Sequence, residues 1–253
     1  MKSGRLNQII EMINKQKTVK NAELMDTFGI SIETVRRDLE QLEKQGYLRR
    51  VYGGAVANVS LSSEPEYTKR TKVRFHEKNT IAAEAAKLVE ANDAIYMGVG
   101  TTVQAMVQYL KSHQNLTVFT NALRTAVELS EIPECSVILS GGKLRAKELT
   151  LSGNAAEENF SRFNVDKAFI GIGGIADGMV TDFHIDEAGI HRMLIENARQ
   201  TIVLTDSGKL GLRTLVNVCP LEKIDIVITD SSAPKSFIKE LEQAGVQVII
   251  AKA

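Results

Sequence analysis

Seven short, nearly continuous apolar runs mark the chain from residue 94 onward, at 94–97, 116–119, 136–139, 168–170, 201–204, 224–228 and 246–250. A strand with one wet face alternates polar and apolar residues, whereas an unbroken apolar run is covered on both faces. Helical patterns lie between most of the runs, at 103–111, 155–163, 187–199 and 235–244. An alanine-rich pattern at 79–90, with Ile81, Ala82, Ala85 and Leu88 on one face, precedes them. Strand and helix in alternation predict an α/β domain built on a mainly parallel sheet.

The first 56 residues follow a different rhythm. Leu6, Ile9, Ile10 and Ile13 fall at i, i+3, i+4 and i+7, the spacing of a buried helix face. Ala22, Leu24, Met25 and Phe28 predict a second, short helix. Gly29 stops it, because glycine adopts the left-handed conformation that ends helices. Ser31 can cap a third helix through its hydroxyl. That helix buries Val35, Leu39 and Leu42 and ends near Gly46. A short helix, a glycine turn and a capped helix form the helix-turn-helix pattern. The expectation is an all-α head followed by a two-stranded wing at 47–56.

The polar face of the third helix carries Glu33, Thr34, Arg36 and Arg37. In this motif the start of the third helix enters the major groove, where the arginine fork can pair with guanine O6 and N7. Arg49 and Arg50 on the wing are placed for the DNA backbone or minor groove. Residues 1–56 hold ten Lys/Arg and seven Asp/Glu, a net +3 in a chain whose total is zero. The positive end is the one suited to nucleic acid. The same pattern also fits a three-helix interaction module whose arginines are a solvated face.

Residues 34–43, Thr-Val-Arg-Arg-Asp-Leu-Glu-Gln-Leu-Glu, lead into Gly46, Tyr47, Leu48, Arg50 and Gly53-Gly54-Ala55. This order resembles the DeoR family of bacterial transcription regulators, in a winged helix-turn-helix. The resemblance implies that Thr34, Arg36 and Arg37 face the groove of double-stranded operator DNA. Lys20 departs from it, since the family usually has a small capping residue there; a lysine adds a charge that reaches phosphate. Lys20, Ser31, Thr34, Arg36, Arg37, Arg49 and Arg50 are the candidate DNA contacts.

Residues 58–65 are polar, serine-rich and broken by Pro65, as a domain boundary should be. The division expected is a head at 1–57, a linker at 58–78 and an effector and oligomerisation domain at 79–253. In the last, polar residues gather just after the apolar runs: 98–102, Asn121, 140–145, 171–174, 205–209 and 229–231. Ligands of open α/β sheets bind outside the carboxyl ends of the strands. Gly98 and Gly100 allow close backbone approach, and Thr101 and Thr102 open a helix whose free N–H groups attract anions. Arg145 and Lys209 supply positive charge, while Asn121, Asp182, Glu187 and Asp206 suit hydroxyls. The expected ligand is a phosphorylated sugar or polyol.

The family resemblance extends here through Gly-Thr-Thr at 100–102, Thr-Asn at 120–121, Gly-Gly-Lys-Leu-Arg at 141–145, Glu-Ala at 187–188 and Asp-Ser-Gly-Lys-Leu-Gly at 206–211. It implies a sugar-phosphate isomerase-like fold; Gly142 and Gly173, from the loops at 140–145 and 171–174, complete the candidate effector contacts. Gly98 stands where the family usually has aspartate, and His191 where it usually has lysine. The stretch 181–188 resembles the branch that includes the glycerol-3-phosphate regulon repressor. The family also implies repression and a homodimer or homotetramer.

Cys135 and Cys219 are too far apart in sequence and too few for a metal site or a disulfide framework. No apolar run approaches the roughly 20 residues of a membrane span, and the N-terminus has no secretory core. A reducing cytoplasm fits, with no membrane partner, cofactor or metal expected. A sugar-phosphate isomerase fused to a DNA-binding head is the rival reading. It needs a positioned general base, and no carboxylate–lysine set is evident. A scaffold that binds DNA constitutively is the third.

Overall fold

The computed structural model describes residues 2–16, 18–44, 47–57 and 61–252. Gly46, where the third helix was expected to end, and residues 58–60 of the expected linker lie outside them. The head consists of α1 (Lys2–Gln16), β1 (Thr18–Lys20), α2 (Asn21–Phe28), α3 (Ile32–Lys44), β2 (Leu48–Val51) and β3 (Gly54–Ala57). Leu6, Ile9, Ile10 and Ile13 of α1 close on Leu24, Val35, Leu39 and Leu42 in one buried cluster. Gly29 ends α2 at φ 60°, in the left-handed region.

The head carries one more strand than the two-stranded wing expected. β1 pairs antiparallel with β3, giving the order β1-β3-β2. Three residues are too short to register as a strand pattern, yet Val19 is buried between exposed Thr18 and Lys20. Gly54 makes the pairing possible: a Cβ there would lie 2.0 Å from the Val19 carbonyl oxygen.

Two helices follow, α4 (Tyr67–Arg70) and α5 (Phe75–Ala86). The larger domain then runs β4 (Ala94–Met97), α6 (Thr101–Gln104), β5 (Leu116–Thr120), α7 (Leu123–Leu129) and β6 (Cys135–Leu139). A hairpin, β7 (Lys143–Arg145) and β8 (Thr150–Ser152), precedes α8 (Asn154–Phe160) and β9 (Val165–Gly171). Next come β10 (Gly174–Ala176), β11 (Met179–Asp182), α9 (Ile185–Asn197), β12 (Ala198–Leu204) and β13 (Val216–Pro220). The chain closes on β14 (Ile226–Asp230), α10 (Lys235–Gln243) and β15 (Gln247–Ala251).

All seven apolar runs join one parallel sheet in the order β15-β14-β12-β9-β4-β5-β6. One face packs Tyr96, Ala168, Ile170, Val203 and Val227 against α8, α9 and α10. The other packs Ile95, Met97, Phe169, Ile202 and Ile228 against α5 and α6. Both faces are dry over the central strands, which is why those runs lack alternation, while the edge strand β6 leaves Ser136 and Leu139 exposed. β10, β11 and β13 form a separate antiparallel sheet that the runs did not announce.

The strand order reverses at the centre. The chain lays β5 and β6 on one side of β4, then returns to lay β9 on the other. Ligands favour such a switch point in an open sheet. There the loops after β4 and β9 nearly touch, for a Cβ on Gly171 would sit 2.5 Å from the Val99 carbonyl.

Candidate functional site

At the head, Ser31 caps α3: the Thr34 N–H donates to its Oγ at 3.4 Å. Val35, Asp38 and Leu39 turn inward and leave Arg36 and Arg37 exposed on the opposite face. Asp38 pairs with Arg5 at 2.7 Å and so pins α3 to α1. On the wing, Arg49 is exposed. Arg50 is engaged within the protein: its N–H and Nε each donate to Glu43 at 2.7 Å. Those two bonds hold the Glu43 carboxyl below its ordinary pKa despite some burial. Lys20 precedes α2 with its N–H 3.4 Å from Glu23 Oε2. Tyr52 at the wing tip is fully exposed.

The second region is a narrow open cleft at the carboxyl ends of β4 and β5. Its walls include Val99, Gly100, Arg145 and Thr150 from the sheet side, Arg124 from α7, and Glu64, Tyr67 and Arg70 from the linker side. Arg70 meets Glu64 at 2.5 Å and also pairs with Glu148. Arg145 lies 2.8 Å from Glu187 and 3.3 Å from Glu64. His184 Nε2 is 3.0 Å from the same Glu64 oxygen. Burial penalises the Glu64 carboxylate, but the His184 hydrogen bond and the charges of Arg70 and Arg145 outweigh it and lower its pKa. Arg124 stacks over the Tyr67 ring at 4.4 Å. Sequence reasoning took Gly100, Arg145 and Glu187 into the site and weighed His184 as a contact, but missed Glu64, Arg70 and Arg124. Glu64 stands beside Pro65 at the expected domain boundary, and nothing in that pattern signals the surface it meets.

The other expected contacts are distributed elsewhere. Asn121 is turned into the fold, accepting from the Tyr96 hydroxyl and donating to the Leu151 carbonyl at 3.0 Å. Gly142 and Gly173 serve close packing, where a Cβ would stand 2.7 Å from the Ser152 carbonyl and from Thr214 Oγ1, respectively. Asp182 accepts from the Phe183 N–H at 2.6 Å and lies 3.2 Å from His191 Nδ1. Thr101 and Thr102 do begin α6, but that helix is a single turn, with Thr102 buried. Gly98 is buried beneath Tyr96, whose ring would stand 3.2 Å from a Cβ, so an aspartate there would crowd that ring.

Lys209 and Asp206 are not among the cleft's lining residues, although the Lys209 ammonium is close enough to feel the charges of Arg70 and Glu64. Lys209 donates to the Ile172 carbonyl, and burial lowers its pKa. Asp206 caps the turn at Gly208 and lies 3.4 Å from Arg74, which donates to Ser207 at 2.9 Å. Arg74 also reaches Asn7 of α1 at 3.4 Å, and Asn7 donates to the Ser232 carbonyl at 3.0 Å. Tyr47 of the head fits against Gly208, where a Cβ would come within 2.0 Å of its hydroxyl. The 206–211 motif thus builds the seam between head and larger domain.

Glu187 carries a further consequence. Burial, then repulsion from Asp182, pushes its pKa up to about 7, against the pull of Arg145. A carboxyl raised in the fold stabilises at low pH, and that contribution is lost as pH climbs through the folded value. Relative to the native chain, Glu187→Gln should gain stability from about pH 5 to about pH 8 by on the order of 2 kcal/mol. Urea unfolding of both proteins across that range measures it. A difference that stays constant means Glu187 ionises normally.

Two family models match the chain. The DeoR-like helix-turn-helix domain covers residues 5–60, and the DeoR C terminal sensor domain covers residues 74–231. The chain belongs to the DeoR family. It joins a DNA-binding helix-turn-helix head of that family to the family's C-terminal sensor domain. Family relatives align end to end. The "Uncharacterized HTH-type transcriptional regulator YulB" of Bacillus subtilis is 37% identical over 96% of this chain and 95% of its own length. The "Glycerol-3-phosphate regulon repressor" of Escherichia coli is 32% identical over 96% and 97%. Among solved structures, ribose 5-phosphate isomerase A of Methanocaldococcus jannaschii aligns over 53% of each chain, with TM-score 0.37 and 19% identity. No described helix is long and apolar enough to cross a membrane.

Proposed function

We propose that this protein represses a carbohydrate catabolic operon and leaves its operator when a phosphorylated sugar or polyol enters the cleft. Residues 1–57 read the DNA, 58–78 link, and 79–253 sense the effector and oligomerise. One observation carries the reading: three arginines, at 70, 124 and 145, converge beside the Gly100 loop at the switch point of the sheet. Guanidinium groups suit phosphate because their fork of donors matches its oxygens. Thr150 lines the same wall, with Glu187 behind it accepting its hydroxyl at 3.1 Å, and both suit sugar hydroxyls. A relative named for the glycerol-3-phosphate regulon supports the ligand class. Regulation is favoured over isomerase chemistry because the relatives named above are regulators, and Glu187, the carboxyl with the most catalytic pKa, is tied to Arg145.

In the head, Arg36 and Arg37 meet base edges, with Ser31 and Thr34 beside them. Lys20, Arg49 and Arg50 meet phosphates. Paired half-sites call for two heads, hence a homodimer or homotetramer, working in the cytoplasm. Effector binding lowers operator affinity by the coupling free energy, about 1–3 kcal/mol or roughly 5- to 150-fold. A gel mobility assay tests this on the upstream DNA of the chain's own gene, with phosphorylated trioses, pentoses and hexoses titrated in. At least one should release the DNA within that range, and release by none discards the sensing half of the reading.

A further inference from the structure

The cleft already holds an anion of the protein's own making. We propose that Arg70 and Arg145 form the phosphate seat of the sensor domain and that the Glu64 carboxylate sits in it as an internal stand-in, which the effector phosphate must displace. The proposal deepens the sensing reading above and rests on it.

The contacts are those of an anion seat. One Glu64 oxygen meets Arg70 at 2.5 Å, and the other meets Arg145 at 3.3 Å and His184 at 3.0 Å. These partners come from three separate places: the end of α4, the end of β7 and the N-terminal edge of α9. The Glu64 side chain is only 11% exposed, although it belongs to a polar linker segment. The seat is also incompletely filled. Buried Nε of Arg70 and buried Nε and Nη1 of Arg145 have no hydrogen-bond partner among the described residues. Leaving such donors unsatisfied is costly. A carboxylate offers two oxygens, whereas a phosphomonoester offers three and carries more charge, so it can engage donors that Glu64 leaves idle.

Charge makes the two occupants exclusive. Arg70 and Arg145 already face Glu148 and Glu187, so a dianion added beside Glu64 would meet three carboxylates. Expelling Glu64 removes that repulsion. Displacing Glu64 removes its hold on the linker, which keeps the Leu215 N–H to Leu61 carbonyl bond at 3.1 Å before it and the Tyr67 ring against Arg124 after it. Since residue 64 follows the head by only a few residues, the seat connects effector binding to head placement. The exchange is two-state, as allosteric coupling requires.

The test uses the full-length chain and inorganic phosphate, titrated calorimetrically, with circular dichroism to verify each variant's fold. Glu64→Gln keeps the side chain's shape and removes its charge, so phosphate should bind at least about tenfold more tightly than to the native chain. Glu64→Ala should show the same gain, and Arg70→Met or Arg145→Met in the Glu64→Gln background should abolish it. Unchanged or weaker phosphate binding in both Glu64 variants overturns the proposal, as does tight binding that survives loss of either arginine. Operator release separates the two readings. If sugar phosphates release the native protein from DNA while the Glu64 variants bind phosphate no better, the stand-in fails and sensing survives. If the variants gain phosphate affinity while no sugar phosphate releases the native protein, the seat stands and the sensing reading fails.

Discussion

Arg74→Met is expected to destabilise the folded chain by about 3–5 kcal/mol and to undock the head from the sensor domain. Arg74 is buried, its side chain 9% exposed, in the seam between the two. It donates to Ser207, reaches Asn7 of α1 and faces the buried Asp206 carboxylate. Asp230 lies beside them, accepting from the Ser207 N–H at 2.6 Å. Methionine keeps much of the volume and removes the charge, leaving buried Asp206 without its paired guanidinium and with only the more distant Lys78 and Lys209 charges to balance it. Breaking a buried pair from one side costs more than the pair itself contributes. Arg74 also holds a left-handed backbone at φ 51°, an unusual conformation for a side-chain-bearing residue. Asp206→Asn on the Arg74→Met background should recover part of the loss, because it removes the stranded charge. Chemical unfolding measures the stability, and the hydrodynamic radius reports undocking. A loss under about 1 kcal/mol with an unchanged radius would mean the seam is held by apolar contact alone.

Gly208→Ala opens the same seam sterically, since its added Cβ would lie 2.0 Å from the Tyr47 hydroxyl and 2.8 Å from Cζ. This assigns a physical reason to the 206–211 motif other than the one its position suggested. A loop at the end of a strand reads as ligand-binding when the sheet is considered alone. Here another domain covers it, and nothing in the local pattern signals that cover.

The contrast between sheet and cleft follows from how each is specified. The central strands were legible because burial on both faces leaves a local mark, an apolar run without alternation; β6 was legible from its apolar residues even though the sheet edge leaves it partly exposed. The head helices were legible because 3.6-residue spacing and Gly29 are local as well. β1 was not, since Val19 is a strand residue only through its pairing with β3. The β10, β11 and β13 sheet went unread for a related reason: its strands are short and sit between glycines and turns. The cleft was legible only in part. Arg145 and Glu187 lie in motifs beside strands, whereas Glu64 and Arg70 come from a segment that looks like a linker. Its polarity is genuine, but ion pairs absorb it. Asn121 shows the reverse, a polar residue in the expected place whose hydrogen bonds the fold itself consumes.

The same distinction between a charge in sequence and a charge available to a partner sets the last expectation. Arg36→Ala should weaken operator binding by about 1–3 kcal/mol and relax preference at one base pair. Arg50→Ala should cost less, although both residues are exposed arginines of the head. Arg36 projects from the face of α3 opposite its buried Val35 and Leu39. Ser31 caps the helix, so the residue is held on a rigid element at the end that enters the groove. Arg50 already gives its Nε and N–H to Glu43, and any phosphate must compete with that carboxylate. Glu43→Gln should therefore strengthen DNA binding while leaving base preference intact, and should steepen the salt dependence by up to about one unit. Fluorescence anisotropy on operator and scrambled duplexes across a salt series separates these effects. Equal weakening on both duplexes by Arg36→Ala would make Arg36 a phosphate contact. A larger loss from Arg50→Ala than from Arg36→Ala would shift the main recognition from α3 to the wing.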